Sequence, residues 1–353
     1  MTALLPTQAA SPMDFVLPPG AQATAPPERR GLRRDGVRML VASPSRVEHR
    51  VFRDLPDLLE PGDVVVVNTS ATVPAALSAV RSDGRPALVH VSTPLDDGEW
   101  VIEVRQPGNV GPASDVTPGE GLRLPAGLRL DVTRSYPVTG RDRARLWAAS
   151  PRPATPLLEY LSGHGQPIRY DYLSGAWPLS DLQTVYATQP GSAEMPSAGR
   201  PFSPSVLVRL MANGVPVVPL VLHAGVSSPE AHEPPLPERF GVPDVTARLV
   251  NATHAAGRRV LAVGTTVVRA LETASDSRGT VRASRGWTDL VLGPDRPARV
   301  VDALITGLHA PGASHLLLLE AVVGRPVLAA AYAAALERSY LWHEFGDVTL
   351  LLR

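Results

Sequence analysis

Val260-Leu-Ala-Val-Gly-Thr-Thr-Val-Val-Arg-Ala-Leu-Glu272 is the stretch on which the fold turns. An uninterrupted apolar run, Val260–Val263, passes through Gly264-Thr265-Thr266 straight into a segment with helical character. Continuous apolar runs mark parallel strands buried on both faces, whereas half-exposed strands alternate. The same form occurs three more times. Val64–Val67 runs into Asn68-Thr69-Ser70, Val217–Leu222 into His223-Ala224-Gly225, and Val301–Ile305 into Thr306-Gly307-Leu308-His309. Ligands of open α/β sheets sit just beyond the carboxyl ends of the strands. The four polar strand ends are therefore expected to contribute to one site.

Gly264 allows a tight turn and close approach of a ligand. Thr265 or Thr266 is expected to cap the helix that follows. The remaining first-turn N–H groups and the positive dipole end would favour a carboxylate or phosphate; an ordinary capped helix is the alternative. No Gly-Lys-Ser/Thr follows, so this is not a P-loop. His223 and His309 each end a strand. Either imidazole could bond a ligand or move a proton near neutral pH, or simply satisfy backbone groups. Asp181-Leu-Gln-Thr-Val-Tyr-Ala187 precedes a Pro/Gly-rich stretch, 189–202, long enough for a functional loop or a surface connection. Gly346-Asp347 reads as a turn.

Outward from these motifs, the chain divides into an α/β first part (1–77), an inserted antiparallel β-barrel domain (78–150) and an α/β second part (151–353). The insertion is read from short apolar segments separated by Ser82-Asp83-Gly84, Asp96-Asp97-Gly98, Pro107-Gly108-Asn109, Pro118-Gly119, Pro125-Ala126-Gly127 and Gly140. The first part reads as a short strand, a connection containing Phe52 and Leu55, and the first buried strand. Helices are predicted at Pro204–Asn213, Val242–Ala256, Thr266–Thr273, Ser314–Val323 and Pro326–Arg338, with a final strand at Val348–Leu352. The fold class is a Rossmann-like α/β domain carrying a barrel. Arg29, Arg30, Arg33 and Arg34 form either a solvated arm or a phosphate-contacting patch.

Composition narrows the chemistry. The 353 residues carry equal numbers of acidic and basic side chains, so no whole-protein field draws in nucleic acid. Every basic residue is Arg, which reads as coding bias. There is no Cys, which removes disulfides, thiolate zinc sites and Cys nucleophiles. The nine His residues contain no His-x-x-x-His pair, and no metal is expected. No run approaches the roughly 18 apolar residues of a membrane helix, and the N-terminus lacks signal-peptide order. A cytoplasmic monomer without membrane association is the expectation.

Taken in order, the motifs resemble the S-adenosylmethionine:tRNA ribosyltransferase-isomerase family of queuosine biosynthesis over nearly the whole chain. The strings are Asp14-Phe-x-Leu-Pro18, Arg38-Met-Leu-Val41, Phe52-x-Asp54-Leu55, Gly62-Asp63, and Asn68 with Val73-Pro74-Ala75. They continue with Gln183-Thr-Val-Tyr-Ala187, Pro196-Ser-Ala-Gly199 with Phe202, Leu222-His223-x-Gly225 and Val263-Gly-Thr-Thr-x-x-Arg-Ala-Leu-Glu272. The last are Val301-Asp302-x-Leu-Ile-Thr306 with His309 and Pro311, Ala331-Tyr332, and Phe345-Gly-Asp347.

The resemblance implies an α/β domain with a barrel. It also implies transfer and isomerisation of the ribosyl group of S-adenosylmethionine onto a 7-aminomethyl-7-deazaguanine in tRNA. The product would be epoxyqueuosine, with adenine and methionine released and no metal required. His223, Thr265 and His309 are the catalytic candidates. Asn68, Gln183, Tyr186, Ser197, Gly199, Gly225, Gly264, Thr266 and Arg269 are the substrate-binding candidates.

The chain departs from the family pattern in places. Asn68-Thr69-Ser70-Ala71 stands for Asn-Asp-Thr-Arg, and Ala76 for a second Arg. Ala198-Gly199-Arg200-Pro201-Phe202 stands for Ala-Gly-Leu-His-Phe, and Ser227-Ser228-Pro229 for Gly-Thr-Phe. Pro235-Leu236-Pro237-Glu238 stands for Met-His-x-Glu, and Gly307-Leu308-His309-Ala310-Pro311-Gly312 for Asn-Phe-His-x-Pro-Arg. These losses keep two rivals open: a homologue that uses a small deazapurine or other small acceptor, and a non-catalytic nucleoside- or RNA-binding protein.

Overall fold

The computed structural model describes residues 13–137, 144–226 and 235–353. The turn expected at Gly140 and the Ser227-Ser228-Pro229 segment lie outside them. The strands are β1 (Arg38–Ser43), β2 (Arg46–Val51), β3 (Val64–Asn68), β4 (Ser70–Thr72), β5 (Ala76–Val80), β6 (Pro86–Pro94), β7 (Trp100–Arg105), β8 (Gly121–Arg123) and β9 (Arg129–Tyr136). They continue as β10 (Leu146–Arg152), β11 (Gln189–Ser192), β12 (Val217–Leu222), β13 (Glu238–Val242), β14 (Val260–Val263), β15 (Ser284–Thr288), β16 (Ala303–Gly307) and β17 (Val348–Leu352). The helices are α1 (Leu157–His164), α2 (Pro204–Ala212), α3 (Asp244–Ala255), α4 (Thr265–Thr273), α5 (His315–Val323) and α6 (Arg325–Glu337).

Nine strands form one sheet in the order β15-β13-β12-β3-β14-β16-β17-β1-β2. The four strands singled out in the sequence are its centre. β12, β3, β14 and β16 run parallel and side by side. Their hydropathy explains the position: Val64–Val67 are all buried, and successive side chains of a strand point to opposite faces. Val64 and Val66 join a core with Val267, Leu271, Leu319 and Leu328, beneath α4, α5 and α6. Val65 and Val67 join Phe52, Leu55, Phe202 and Leu210 on the other face. Three outer strands run against this centre: β13 is antiparallel to β12, β17 is antiparallel to β16, and β1 is parallel to β17. The sheet is therefore mixed, wider than the purely parallel centre that apolar runs reveal.

Between β4 and β11, β5 to β10 close into an antiparallel barrel in the order β10-β7-β6-β5-β8-β9. Trp100, Ile102, Leu122, Leu130 and Trp147 fill it. β11 then pairs with β4, returning the chain to the strand-end edge of the sheet. No single described helix is long and apolar enough to cross a membrane.

The arginines of the N-terminal arm have partners within the protein, while Arg29 and Arg33 stay largely exposed. Arg29 bonds Asp181, Arg30 the carbonyls of Ala25 and Phe345, Arg33 Asp35, and Arg34 both Glu28 and the Gln183 carbonyl.

Candidate active site

The parallel centre brings its four polar ends to one edge, and hydrogen bonds join them. Asn68 spans three strands. Its Nδ2 donates to the Leu222 carbonyl (2.8 Å) and to Thr266 Oγ1 (3.3 Å), while its Oδ1 accepts from the amides of Ser70 and Leu222, each at 3.0 Å. Both amide heads are thus spent on holding the edge together. Ser70 Oγ lies 2.7 Å from His223 Nδ1 and 2.6 Å from Ser192 Oγ. The Ala224 amide donates to Ser192 Oγ (3.0 Å). Gly191 is packed against the imidazole so closely that a Cβ there would fall 2.4 Å from Nδ1.

His223 faces a cleft of about 340 Å³ between the barrel and the sheet. Val91, Ser92, Thr93 and Pro94 line it from the barrel, Leu157 and Leu161 from α1, and Gly191, His223 and Arg239 from the sheet side. A mostly apolar cleft with few convergent polar groups is the usual form of a ligand site. Burial, and then the Arg239 guanidinium, hold His223 below the ordinary histidine range, so the ring is neutral near pH 7. Arg239 pairs with Asp96 and stacks over Trp287.

The next strand end carries Gly264, at φ 90° and ψ 156°. Here the expectation needs correcting. Gly264 is itself the helix N-cap and no side chain caps α4, so neither Thr265 nor Thr266 does. Thr265 opens the helix instead. The backbone N–H groups of Thr265 and Thr266 make no hydrogen bond to a described residue, which is the usual state of first-turn donors. Ala198, in the Ser197–Gly199 turn, overhangs Gly264.

At the fourth end, His309 Nε2 meets Thr306 Oγ1 at 3.1 Å, and the ring stacks on His315 with centroids 4.8 Å apart. Its amide donates to Tyr332 Oη, and its carbonyl accepts from Trp342 Nε1. Burial pushes His309 well below the ordinary range, and the nearby His315 and His343 add to the shift. It is a fixed, neutral ring.

The other candidates divide. Ser197 lies on a small hollow with Arg200, Gly307 and Glu344. Tyr186 is packed edge-on to Phe202, bonds the Gly199 carbonyl at 3.4 Å, and has its phenol pushed up by burial. A Cβ on Gly199 would collide with that phenol at 2.2 Å, so the pair is a packing contact. A Cβ on Gly225 would fall almost as close to Ser92 of the barrel, at 2.4 Å.

Two candidates turn out to be occupied. The Gln183 amide is exchanged with the backbone of Thr72, donating at 2.8 Å and accepting at 3.0 Å. Arg269 is buried, ion-paired with Glu238, and donates to the carbonyls of Leu290, Leu236 and Thr288. Both brace the walls of the site. Sequence reasoning missed Ser70, Ser192, Arg239 and Glu238 as participants. Glu238, which also accepts from the Gly225 amide at 3.2 Å, had a signal in the surviving Glu of the Met-His-x-Glu position. Ser70 had one in the polar strand end Asn68-Thr69-Ser70, and Ser192 had none.

The queuosine biosynthesis protein family matches residues 10–351. The S-adenosylmethionine:tRNA ribosyltransferase-isomerase of Thermus thermophilus is 36% identical over 357 residues, covering 96% of this chain and 98% of its own. That of Heliobacterium modesticaldum is 34% identical with the same coverage. Among solved structures, the S-adenosylmethionine tRNA ribosyltransferase of Thermotoga maritima aligns over 96% of this chain and 99% of its own, with a TM-score of 0.53 at 30% identity. With similarity running from end to end and the barrel and parallel strand ends in place, the chain belongs to the S-adenosylmethionine:tRNA ribosyltransferase-isomerase family of queuosine biosynthesis enzymes.

Proposed function

We propose that the protein takes the ribosyl group of S-adenosylmethionine, transfers it to the aminomethyl group of a 7-deazaguanine in tRNA, and isomerises it to the epoxycyclopentane of epoxyqueuosine. Adenine and methionine leave. The observation that carries this reading is the end-to-end similarity to relatives named for the reaction. The site chemistry supports it. A sulfonium acidifies the ribose C5′ proton, so the reaction needs proton handling rather than a redox group. His223, which lines the cleft, is the residue we assign to that proton handling or hydrogen bonding. The first-turn amides after Gly264 suit the methionine carboxylate. The cleft between barrel and sheet suits a nucleoside, with apolar walls for a base and Arg239 at its rim.

A second reading, a small deazapurine acceptor, is favoured by the missing cations. Ala71 and Ala76 stand where the family carries Arg, and the Arg29–Arg34 cluster is engaged within the protein.

One assay tests both. S-adenosylmethionine is labelled in the ribose or in the methyl group and offered with tRNA carrying 7-aminomethyl-7-deazaguanine, or with the free base. Ribose label should reach the tRNA, with adenine and methionine released in equal amounts. His223→Ala should slow turnover by roughly 10²–10⁴-fold, as expected for loss of a positioned acid or base. Label on the free base alone would select the second reading. Methyl transfer, or no product from either acceptor, would overturn the proposal.

A further inference from the structure

The hydroxyl chain behind His223 has a direction. Ser192 Oγ accepts from the Ala224 amide, a donor that cannot be reversed. Ser192 and Ser70 are both fully buried, so no water is at hand for a stray hydroxyl proton. The only other described partner of Ser192 Oγ is Ser70 Oγ at 2.6 Å, and Ser70 Oγ in turn has His223 Nδ1 at 2.7 Å. If each hydroxyl donates onward, every proton finds an acceptor: amide to Ser192, Ser192 to Ser70, Ser70 to Nδ1. If the imidazole instead donated from Nδ1, Ser70 would donate to Ser192, and the Ser192 proton would be stranded. Buried polar hydrogens without partners are strongly disfavoured. Asn68 holds the backbone of Ser70, the last hydroxyl before the imidazole, by accepting its amide at 3.0 Å.

We infer that Ser192 and Ser70 form a one-way hydrogen-bond relay that fixes His223 as its Nε2–H tautomer, so that the ring meets its ligand as a hydrogen-bond donor and not as a base. Nδ1 is consumed by Ser70, and Nε2 makes no hydrogen bond to a described residue. Ser70 and Ser192 are positioning residues, acting only through the imidazole. In the proposed reaction, a donor suits a departing or hydrogen-bonded base. The C5′ proton must then be removed by another group. This assignment of roles rests on the ribosyl-transfer reading, but the tautomer itself does not.

The test therefore needs no substrate. The protein is labelled with ¹⁵N-histidine, and long-range proton–nitrogen correlations are recorded near neutral pH. The His223 signals are identified by their absence in His223→Gln. Nδ1 should show the shift of an unprotonated ring nitrogen and Nε2 that of a protonated one. Ser70→Ala should move both toward averaged values, and Ser70→Thr, which keeps the hydroxyl, should preserve the wild-type pattern. If Ser70→Ala does not fold, Ser70→Gly removes the same hydroxyl; Ser192→Ala, which leaves the Ser70 hydroxyl with Nδ1 as its only described acceptor, should keep the wild-type pattern. A protonated Nδ1 in the wild type would overturn the inference. So would a tautomer indifferent to loss of the Ser70 hydroxyl. If the tautomer is as expected but no ribosyl transfer occurs, the relay stands and only the proposed reaction fails.

Discussion

At the scale of single residues, the site edge is governed by which polar groups have partners. Asn68, Gln183 and Arg269 are fully used by the protein, whereas Glu344 is not: its Oε2 is buried with no described partner, and burial lifts its carboxyl from 4.5 to about 7. Glu344 adds its charge to that of Glu194 in raising the nearby Tyr170 phenol, after burial itself. The consequence is a pH dependence of stability. Between 4.5 and about 7, the folded protein holds a proton that the unfolded chain has released. The contribution is therefore fully present below 4.5 and is lost as pH rises through about 7. Glu344→Gln keeps a neutral side chain at every pH and should remove this loss. Urea melts at pH 5 and pH 8 should show the wild-type midpoint falling more than that of the variant. Equal falls in both would show that Glu344 pays no folding penalty when ionised.

At the scale of elements, the decisive unit is the β14–α4 junction. Gly264 holds φ 90° and ψ 156°, a region that side-chain-bearing residues occupy only at a cost of about 1–3 kcal/mol. A Cβ there would also come within 3.4 Å of Ala198. Gly264→Val should therefore displace the overhanging turn or the first helical amides. S-adenosylmethionine is expected to raise the wild-type melting temperature with dose, as any ligand of the folded state does. The variant should melt lower and show no such rise. A wild-type protein indifferent to millimolar ligand would remove this turn from the site.

This junction, and the three like it, were legible because doubly buried strands must be apolar throughout. α2, α3, α5 and α6 were legible to within two residues at each end for a different reason, their start and stop signals, such as Gly214 after α2 and Asp244 and Gly257 around α3, and, for α5, its place after a strand. β2 was not, because Arg46-Val-Glu-His-Arg-Val51 lies at the sheet edge and only half of it needs to be apolar. β13 and β15 are Gly- and Arg-containing outer strands. The insertion of β17 between β16, to which it is antiparallel, and β1, to which it is parallel, leaves no trace in hydropathy, since a strand reads alike in either direction. The site was legible only where residues adjoin a strand. Ser70 and Ser192 are 122 residues apart and meet only because β4 pairs with β11.

At the scale of the whole molecule, the cleft exists because the barrel is held against the sheet at a few tight points. The closest is Gly225, just beyond β12, where a Cβ would lie 2.4 Å from Ser92 Oγ of β6. The Val226 amide donates to that same oxygen at 3.0 Å. Asp96, on the hairpin after β6, adds bonds from Arg239 and Trp287 Nε1. These contacts tie the barrel wall of the cleft to the strand end that carries His223, so docking and catalysis should vary together. Gly225→Ala forces Ser92 or the barrel to move, because no side-chain carbon is tolerated at that distance. The barrel has its own core, including the buried Trp100 and Trp147, and should stay folded with unchanged tryptophan fluorescence. The connections near 69–76 and 152–157 should be cut faster by a protease, and turnover should fall. Adding Ser92→Ala removes the colliding oxygen and leaves Cβ as the next nearest Ser92 side-chain atom, 3.7 Å away, an ordinary contact. The double variant should then regain most of the protease resistance and turnover, less what Val226 loses with its acceptor. Two substitutions in contact are expected to couple in this way, while distant ones would add. If the two changes simply add, or Gly225→Ala leaves cleavage and turnover untouched, the barrel is not held at Gly225 and the cleft is set elsewhere.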